Sequence, residues 1–259
     1  LEQVCLSLEE AQIKFLPLKG SVLRKFYYEP WMRTSCDIDI LVHKDDLDYA
    51  VSCIEGNLKY SKKEHASHDV SFFSPQDVHL ELHFDLVEEG RVHNSIEILK
   101  SVWDNASVCK DSSFCYEMTE EFFCFYHIAH MAKHFENGGC GIRPFIDLYI
   151  IKNKMQYNES VVRDYFRQSE IEVFYDNMLE VSEVWFGDKH HSDISRQIEE
   201  FILKGGVYGS LENKVSVSQS KKGSKIKYAL SRIFLSYNSL KILYPILNKH
   251  KWLFPFMQV

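Results

Sequence analysis

The spacing of apolar residues changes along the first 90 residues of the chain. Over residues 3–14 the apolar side chains recur at helical spacing, which predicts an amphipathic helix. A second helix is predicted over residues 44–56, because an acidic first turn and a closing glycine suit the two ends of a helix. Short apolar runs bounded by turn residues predict four strands, at residues 15–20, 36–42, 69–74 and 78–87.

Beyond residue 90 the pattern becomes almost entirely helical. Five helices are predicted there, at residues 95–105, 118–136, 142–155, 158–186 and 193–204. A polar stretch rich in glycine and serine over residues 205–225 predicts a long loop, and a last helix follows to about residue 248. The apolar and aromatic segment over residues 231–256 is predicted to dock on its own domain, with a membrane surface or a partner protein as the alternatives.

This change of pattern predicts an α+β protein with two domains. Residues 1–115 are predicted to form a head built on a mixed sheet. Residues 116–259 are predicted to form a mostly helical domain that ends in the C-terminal docking segment.

Composition narrows the classes of protein to which the chain can belong. Hydrophobic residues make up 45% and charged residues 26% of the 259 residues, which is typical of a globular protein. A net charge of −7 disfavours a nucleic-acid partner, although a local basic cleft would be compatible with it. The seven cysteines form no CxxC pair and predict free thiols in a reducing cytoplasm, and no apolar run of membrane-spanning length occurs.

Acidic residues interrupt two of the predicted strands. Asp37 and Asp39 stand two apart, so their carboxylates share one side of the strand and repel each other unless a cation lies between them. In a later strand the same alternation places Glu81, His83 and Asp85 on one face. If the two strands are neighbours, Glu81 meets the pair, and convergent carboxylates form the oxygen-rich site that Mg²⁺ prefers.

A strand-to-helix turn precedes these acids. Ser21 is placed to cap a helix over residues 21–28, and Lys19 and Gly20 lie immediately before it. Glycine permits a close backbone approach and a helix N-terminus offers N–H groups to a phosphate, while Arg33 adds a fork-shaped donor. Each feature alone has an ordinary structural explanation, but their order along the chain is much harder to obtain by accident.

The segments LKGS, RTSCDIDILV and LELHFDL together resemble the nucleotidyltransferase superfamily that includes DNA polymerase beta. More narrowly, they and the later HMAKHFENGGCGIRPFIDLYI resemble a poorly characterised bacterial nucleotidyltransferase family. The resemblance implies that Gly20 and Ser21 hold phosphates, with Lys19 and Arg33 beside them. It also implies that the three acids bind metal, as two Mg²⁺ ions or Mn²⁺ in their place: Asp37, Asp39 and Glu81.

The activity implied by this resemblance is transfer of a nucleoside monophosphate from an NTP, such as ATP, with release of pyrophosphate. The acceptor is a hydroxyl, an amine or a phosphate on an unidentified partner, and the oligomeric state is left open. Two departures from the superfamily pattern stand out. Asp37 follows Ser21 by sixteen residues, longer than the commonest spacing, and Glu81 stands where many relatives have aspartate.

The helical half carries a second group of polar residues. Three histidines share one helical face and an acid follows on the next predicted helix: His127, His130, His134 and Asp147. They form either a metal or nucleotide site or a hydrogen-bonded seam between helices. Because helical domains of the superfamily commonly close over the cleft, the resemblance also implies nucleotide contacts from Lys133, His134 and Arg143.

Two alternatives to the transferase remain open from the sequence. One is a non-catalytic regulatory module that binds a nucleotide, although such a module would be expected to lose one of the three acids. The other is a metal-dependent phosphohydrolase that uses the histidine group His127, His130 and His134 with Asp147.

Overall fold

The computed structural model describes residues 1–87, 94–136 and 138–206. The chain divides into two compact units. Among the described residues, the first comprises Leu1–Tyr126 and Lys154–Val162, and the second comprises His127–Asn153 and residues 163–206. The domain division at residue 115 stays a prediction. The predicted loop after residue 206, the last helix and the C-terminal docking segment lie outside the described residues.

A five-stranded mixed sheet forms the centre of the first unit. In chain order its strands are β1 (Phe15–Pro17), β2 (Asp37–Val42), β3 (Ser61–His65), β4 (Asp69–Phe73) and β5 (His79–His83). They lie side by side in the order β1-β2-β5-β4-β3. Strands β2 and β5 are parallel and the other neighbours are antiparallel, so the predicted α+β class with a mixed sheet is confirmed.

Helices and a small second sheet complete the first unit. The helices are α1 (Glu2–Glu10), α2 (Gly20–Leu23), α3 (Leu47–Leu58), α4 (Ile96–Lys100) and the first half of α5 (Glu120–Glu136). The small sheet pairs β6 (Ala106–Val108) with β7 (Tyr116–Met118). Two predicted helices are shorter than expected: residues 21–28 form α2 and one 3₁₀ turn, and residues 95–105 form α4 and another.

The two faces of the large sheet differ in polarity because side chains alternate along each strand. One face carries fully buried apolar side chains, among them Val70, Phe72, Leu80 and Leu82. Helices α1 and α3 add apolar side chains to the same core cluster, including Val4, Leu8, Ala50 and Ile54. Burying side chains of this size stabilises the fold by about 1.5–3 kcal/mol each, so this face anchors the strands. The opposite face is left for polar groups.

The sequence pattern misses β3 because its five residues, SKKEH, are all exposed. An edge strand with charged side chains resists pairing with another chain, and such a strand carries no apolar alternation to reveal it. The short strands β6 and β7 were missed as well, since three residues are too few to show a period.

The second unit is helical. It contains the second half of α5 and most of α6 (Arg143–Lys154), followed by most of α7 (Glu159–Gln168), then α8 (Glu172–Phe186) and α9 (Asp193–Gly205). The prediction of one helix over 158–186 was wrong, because Glu170 adopts a left-handed φ of 60° and separates α7 from α8. Within the described part of the chain, no helix combines the length and apolar character needed to cross a bilayer.

Candidate functional site

The parallel pairing of β2 with β5 brings the acids together on the polar face of the sheet. In the register of these strands Asp39 lies opposite Glu81, and Asp37 lies opposite His79. One ligand atom from each of Asp37, His79 and Glu81 falls within 4.8 Å of the other two, and the same holds for Asp39, Glu81 and His83. The three acids named from the sequence therefore belong to one cluster, and Glu81 is common to both groups.

Two cationic side chains hold the deepest of these carboxylates. Lys19 Nζ lies 2.7 Å from Asp39 Oδ1, and His83 Nε2 lies 3.0 Å from the same oxygen. His83 Nε2 is also 3.5 Å from Glu81 Oε2. Because the Asp39 side chain is only 4% exposed, an unpaired charge there would be strongly unfavourable. Lys19 and His83 supply the compensating charge.

The pKa values in this cluster follow from these contacts. Burial would raise the pKa of Asp39, but its hydrogen bond with His83 and the charge of Lys19 hold that pKa well below its ordinary value. Burial would lower the pKa of His83, and the contacts with Asp39 and Glu81 raise it instead. The hydrogen bond with His83 also lowers the pKa of Glu81. These contacts thus favour the ionised forms of Asp39 and Glu81 and the protonated form of His83.

Asp37 is electrostatically different from its neighbour two residues away. Burial and the charge of Asp39 raise the pKa of Asp37, so its negative charge is unfavourable where it stands. A hard divalent cation would remove this repulsion, because it takes carboxylate oxygens as ligands. Glu81 has metal-ligand spacing with Asp37 in one group and with Asp39 in the other, and the carboxylate oxygens of these residues fit Mg²⁺ or Mn²⁺.

A strained turn places Lys19 beside Asp39. The backbone N–H of Leu18 donates to the Asp39 carbonyl at 3.0 Å, which ties the turn to β2. Lys19 then adopts φ 46° and ψ −120°, a conformation that costs a non-glycine residue of order 1–3 kcal/mol and is common at functional sites. The turn makes possible the partly buried ion pair between Lys19 and Asp39, which offsets this strain.

Gly20 leaves room for the close approach of the Arg33 side chain. A Cβ added at Gly20 would lie 3.1 Å from Arg33 Nη1 and 3.3 Å from Arg33 Cζ. Arg33 is itself only 8% exposed, and its Nη1 donates to the Thr34 carbonyl at 2.6 Å. The fork-shaped donor named from the sequence thus lies directly over the turn.

The structure weakens the helix-dipole argument for this turn. Helix α2 spans only four residues, and the Ser21 N–H already donates to the Leu18 carbonyl at 3.0 Å. A helix so short has little macrodipole to offer an anion. Any phosphate binding at Gly20 and Ser21 must rely on close approach and on the neighbouring cations Lys19 and Arg33.

Comparison with known protein families shows to which family the chain belongs. A family model described as an uncharacterised nucleotidyltransferase matches residues 1–187. The chain belongs to this nucleotidyltransferase family. The resemblance stated from the sequence is confirmed at the level of the family.

Two further comparisons are narrower. The chain is similar to the solution structure of the antibiotic-resistance factor ANT(2'')-Ia, with 10% identity and a TM-score of 0.39. The similarity covers 71% of this chain and 88% of that chain. No curated protein matches the sequence.

Two side chains that lie close to the acidic cluster were missed from the sequence. Tyr126 on α5 is buried, and burial and the nearby carboxylates, including Asp39, raise its pKa although the charge of Lys19 opposes this. Its sequence context is an ordinary aromatic helix, which gave no signal. His79 was detectable, since it shares the alternation that places Glu81 and His83 on one face of β5.

Asp85, which the alternation placed on one face with Glu81 and His83, lies beyond the end of the strand. Strand β5 ends at His83, and Asp85 Oδ1 instead accepts the backbone N–H of Val87 at 2.8 Å. The carboxylate therefore closes a local turn just beyond the strand.

The histidine group of the helical half has a different arrangement. His127 Nε2 lies 2.9 Å from the Pro144 carbonyl, and the Nε2 atoms of His130 and His134 lie 3.2 Å apart. Asp147 is 2% exposed. Across residues 1–87, 94–136 and 138–206, both groups with metal-ligand spacing lie on the sheet. The histidines thus match the hydrogen-bonded seam better than a metal site.

The residues of the helical half that the resemblance implied as nucleotide contacts lie in the second unit. Lys133, His134 and Arg143 belong to the segment His127–Asn153 of that unit. Their contact with a nucleotide stays a prediction.

Proposed function

We propose that the chain is a divalent-metal-dependent nucleotidyltransferase that moves a nucleoside monophosphate from an NTP to an acceptor and releases pyrophosphate. The observation that carries this proposal is the register of β2 and β5, which sets the buried Asp39 opposite Glu81. Asp37 lies two residues before Asp39 on β2 and is more exposed to solvent. Family membership supports transfer of a nucleotide, and the carboxylate cluster supports a metal-assisted route.

Asp37, Asp39 and Glu81 would hold the metal, as two Mg²⁺ ions or Mn²⁺ in their place. When bound, such ions neutralise the phosphates, orient the acceptor oxygen and stabilise the leaving pyrophosphate. The lowered pKa of Glu81 makes it a weak base, which favours its role as a ligand over a role in taking the acceptor proton.

Lys19 exchanges its partner in this proposal. In the structure its ammonium lies 2.7 Å from Asp39 and compensates the buried charge. With a metal ion held at Asp39, the Lys19 ammonium would no longer be needed to compensate the buried charge and would be available to a phosphate oxygen of the NTP. Gly20 leaves room for the phosphates to approach the backbone, and Arg33, packed over Gly20, supplies a planar guanidinium that pairs well with phosphate oxygens.

The acceptor carries a hydroxyl, an amine or a phosphate, and the net charge of −7 favours a small acceptor over a long nucleic acid. The proposed location is the reducing cytoplasm, in which the seven cysteines would stay free thiols.

The proposal is tested by incubating the protein with Mg²⁺, each NTP labelled at the α-phosphate, and a panel of small acceptors. We expect label in the acceptor and stoichiometric pyrophosphate, both lost in Asp39→Asn and retained in Asp48→Asn, whose carboxylate is exposed on α3. NTP binding without transfer to any acceptor would favour the non-catalytic regulatory module instead. Transfer that survives Asp39→Asn would contradict the proposed site.

A further inference from the structure

The polar face of the sheet carries two imidazoles next to the proposed metal ligands, and the imidazole of His79 has no role in the proposed function. We propose that His79 is itself a metal ligand, so that the site binds a transition metal such as Mn²⁺ through one imidazole nitrogen together with carboxylate oxygens. This inference rests on the proposed function, because it assigns a further ligand to the same site.

The strand register places His79 next to the acids. His79 on β5 lies opposite Asp37 on β2, and Glu81 follows two residues later on the same face. A ring nitrogen of His79 and one carboxylate oxygen from each acid lie within 4.8 Å of one another. All three side chains are only partly buried, so a metal–nucleotide complex can reach them from solvent.

The surroundings of His79 fix the orientation of its ring. Ser71 Oγ lies 2.7 Å from His79 Nε2, and the Phe73 ring stacks on the imidazole with centroids 4.6 Å apart and planes inclined by 17°. A histidine that binds a metal through one nitrogen is usually held by a hydrogen bond at the other. Ser71 supplies such a partner from the neighbouring strand β4, so we assign it the role of a positioning residue.

His83 is a poorer candidate although it flanks Glu81 on the other side. Its Nε2 is already engaged by Asp39 at 3.0 Å and lies 3.5 Å from Glu81, and its side chain is only 5% exposed. A metal at that nitrogen would have to displace both contacts inside the protein. His79 makes its contact with Ser71 and faces the more open of the two carboxylates, Asp37.

An imidazole ligand changes which metal the site prefers. Mg²⁺ takes oxygen ligands almost exclusively, whereas Mn²⁺, a transition metal, suits carboxylate oxygens and also accepts an imidazole nitrogen. We therefore expect the substitution His79→Gln to weaken Mn²⁺ binding by about tenfold and to change Mg²⁺ binding by about twofold at most. Ser71→Ala should weaken Mn²⁺ binding by a smaller factor, since it frees the ring without removing the ligand.

The test is electron spin-echo envelope modulation of Mn²⁺ bound to the protein with inorganic tripolyphosphate, which carries no nitrogen. We expect ¹⁴N modulation from one imidazole in the wild type, its loss in His79→Gln, and its retention in His83→Gln. The control His190→Gln removes an exposed histidine far along the chain and should leave the signal unchanged. Modulation that persists in His79→Gln, or that is lost only in His83→Gln, would overturn the assignment.

The variant Asp37→Asn separates this proposal from the proposed function. If Mn²⁺ binding requires Asp37 and nucleotide transfer occurs, but His79→Gln leaves the ¹⁴N signal intact, only the role of His79 is wrong. If Mn²⁺ binding does not depend on Asp37, the metal site of the proposed function is itself contradicted.

Discussion

Two isosteric substitutions on the same strand should change stability in opposite directions. Asp39 is held by Lys19 and His83, and its pKa lies well below its ordinary value, so its ionised form stabilises the metal-free fold. Asp37 has a raised pKa, because burial and the charge of Asp39 disfavour its ionised form. At neutral pH, Asp39→Asn should therefore destabilise the metal-free protein and Asp37→Asn should stabilise it.

The size of the Asp39→Asn effect follows from its two contacts. Both Lys19 Nζ and His83 Nε2 approach the same oxygen, at 2.7 Å and 3.0 Å. An asparagine oxygen can still accept from both, so the loss is the difference between a charged and a neutral hydrogen bond, about 1 kcal/mol for each. A destabilisation of about 2 kcal/mol lowers Tm by about 4–8 °C in a protein of this size.

The assay is thermal unfolding of the wild type and both variants in chelator at pH 7, followed by circular dichroism. Lowering the pH should reduce the difference between wild type and Asp39→Asn. A carboxyl with a depressed folded pKa contributes stability above its unfolded pKa and loses it as the pH falls towards the folded value. Equal Tm values for the two variants, or a higher Tm for Asp39→Asn than for the wild type, would refute the proposed pattern of charges.

Two further predictions concern the turn and the histidine beneath the acids. Gly20→Ala should displace Arg33, raise the Kd for Mg²⁺-NTP by about tenfold and lower the stability by about 1–3 kcal/mol. The control is Gly56→Ala, where an added Cβ meets nothing within 4 Å. This substitution should stabilise helix α3 by about 0.5–1 kcal/mol. Binding titration and chemical denaturation of both variants measure this contrast, and equal effects would contradict it. Because its contacts with Asp39 raise the pKa of His83, the stability difference between wild type and His83→Gln should be largest below about pH 6.5 and shrink at higher pH. Urea denaturation of both proteins across this pH range measures the stability difference. A difference that grew with increasing pH would contradict the prediction.

The sequence predicted the structure correctly where the apolar pattern of a segment and the positions of its polar residues indicate the same element. Strand β2 was evident because apolar residues flank its acids, and their alternation correctly placed Asp37 and Asp39 on one face. The meeting of Glu81 with this pair required β2 and β5 to be neighbours, which is a property of the topology. The order of turn, acid pair and later acid suggested that neighbourhood only through resemblance to a family.

The features that were missed depend on long-range contacts. Strand β3 exists because β4 offers it an edge, although its own residues are polar and exposed. The break between α7 and α8 arises at Glu170, a residue without the usual signal of a left-handed turn. The pairing of Lys19 with Asp39 depends on the antiparallel contact of β1 with β2, which local spacing does not reveal.

The most direct test of the central claim is calorimetric titration of Mg²⁺ with a non-hydrolysable NTP into wild type, Asp37→Asn and Asp48→Asn. Asp37→Asn is the decisive variant because the structure predicts that it is at least as stable as the wild type, so a loss of binding cannot be attributed to unfolding. We expect wild type and Asp48→Asn to bind equally and Asp37→Asn to bind the metal–nucleotide complex at least tenfold more weakly. Equal binding by all three proteins would contradict a metal site on β2 and β5.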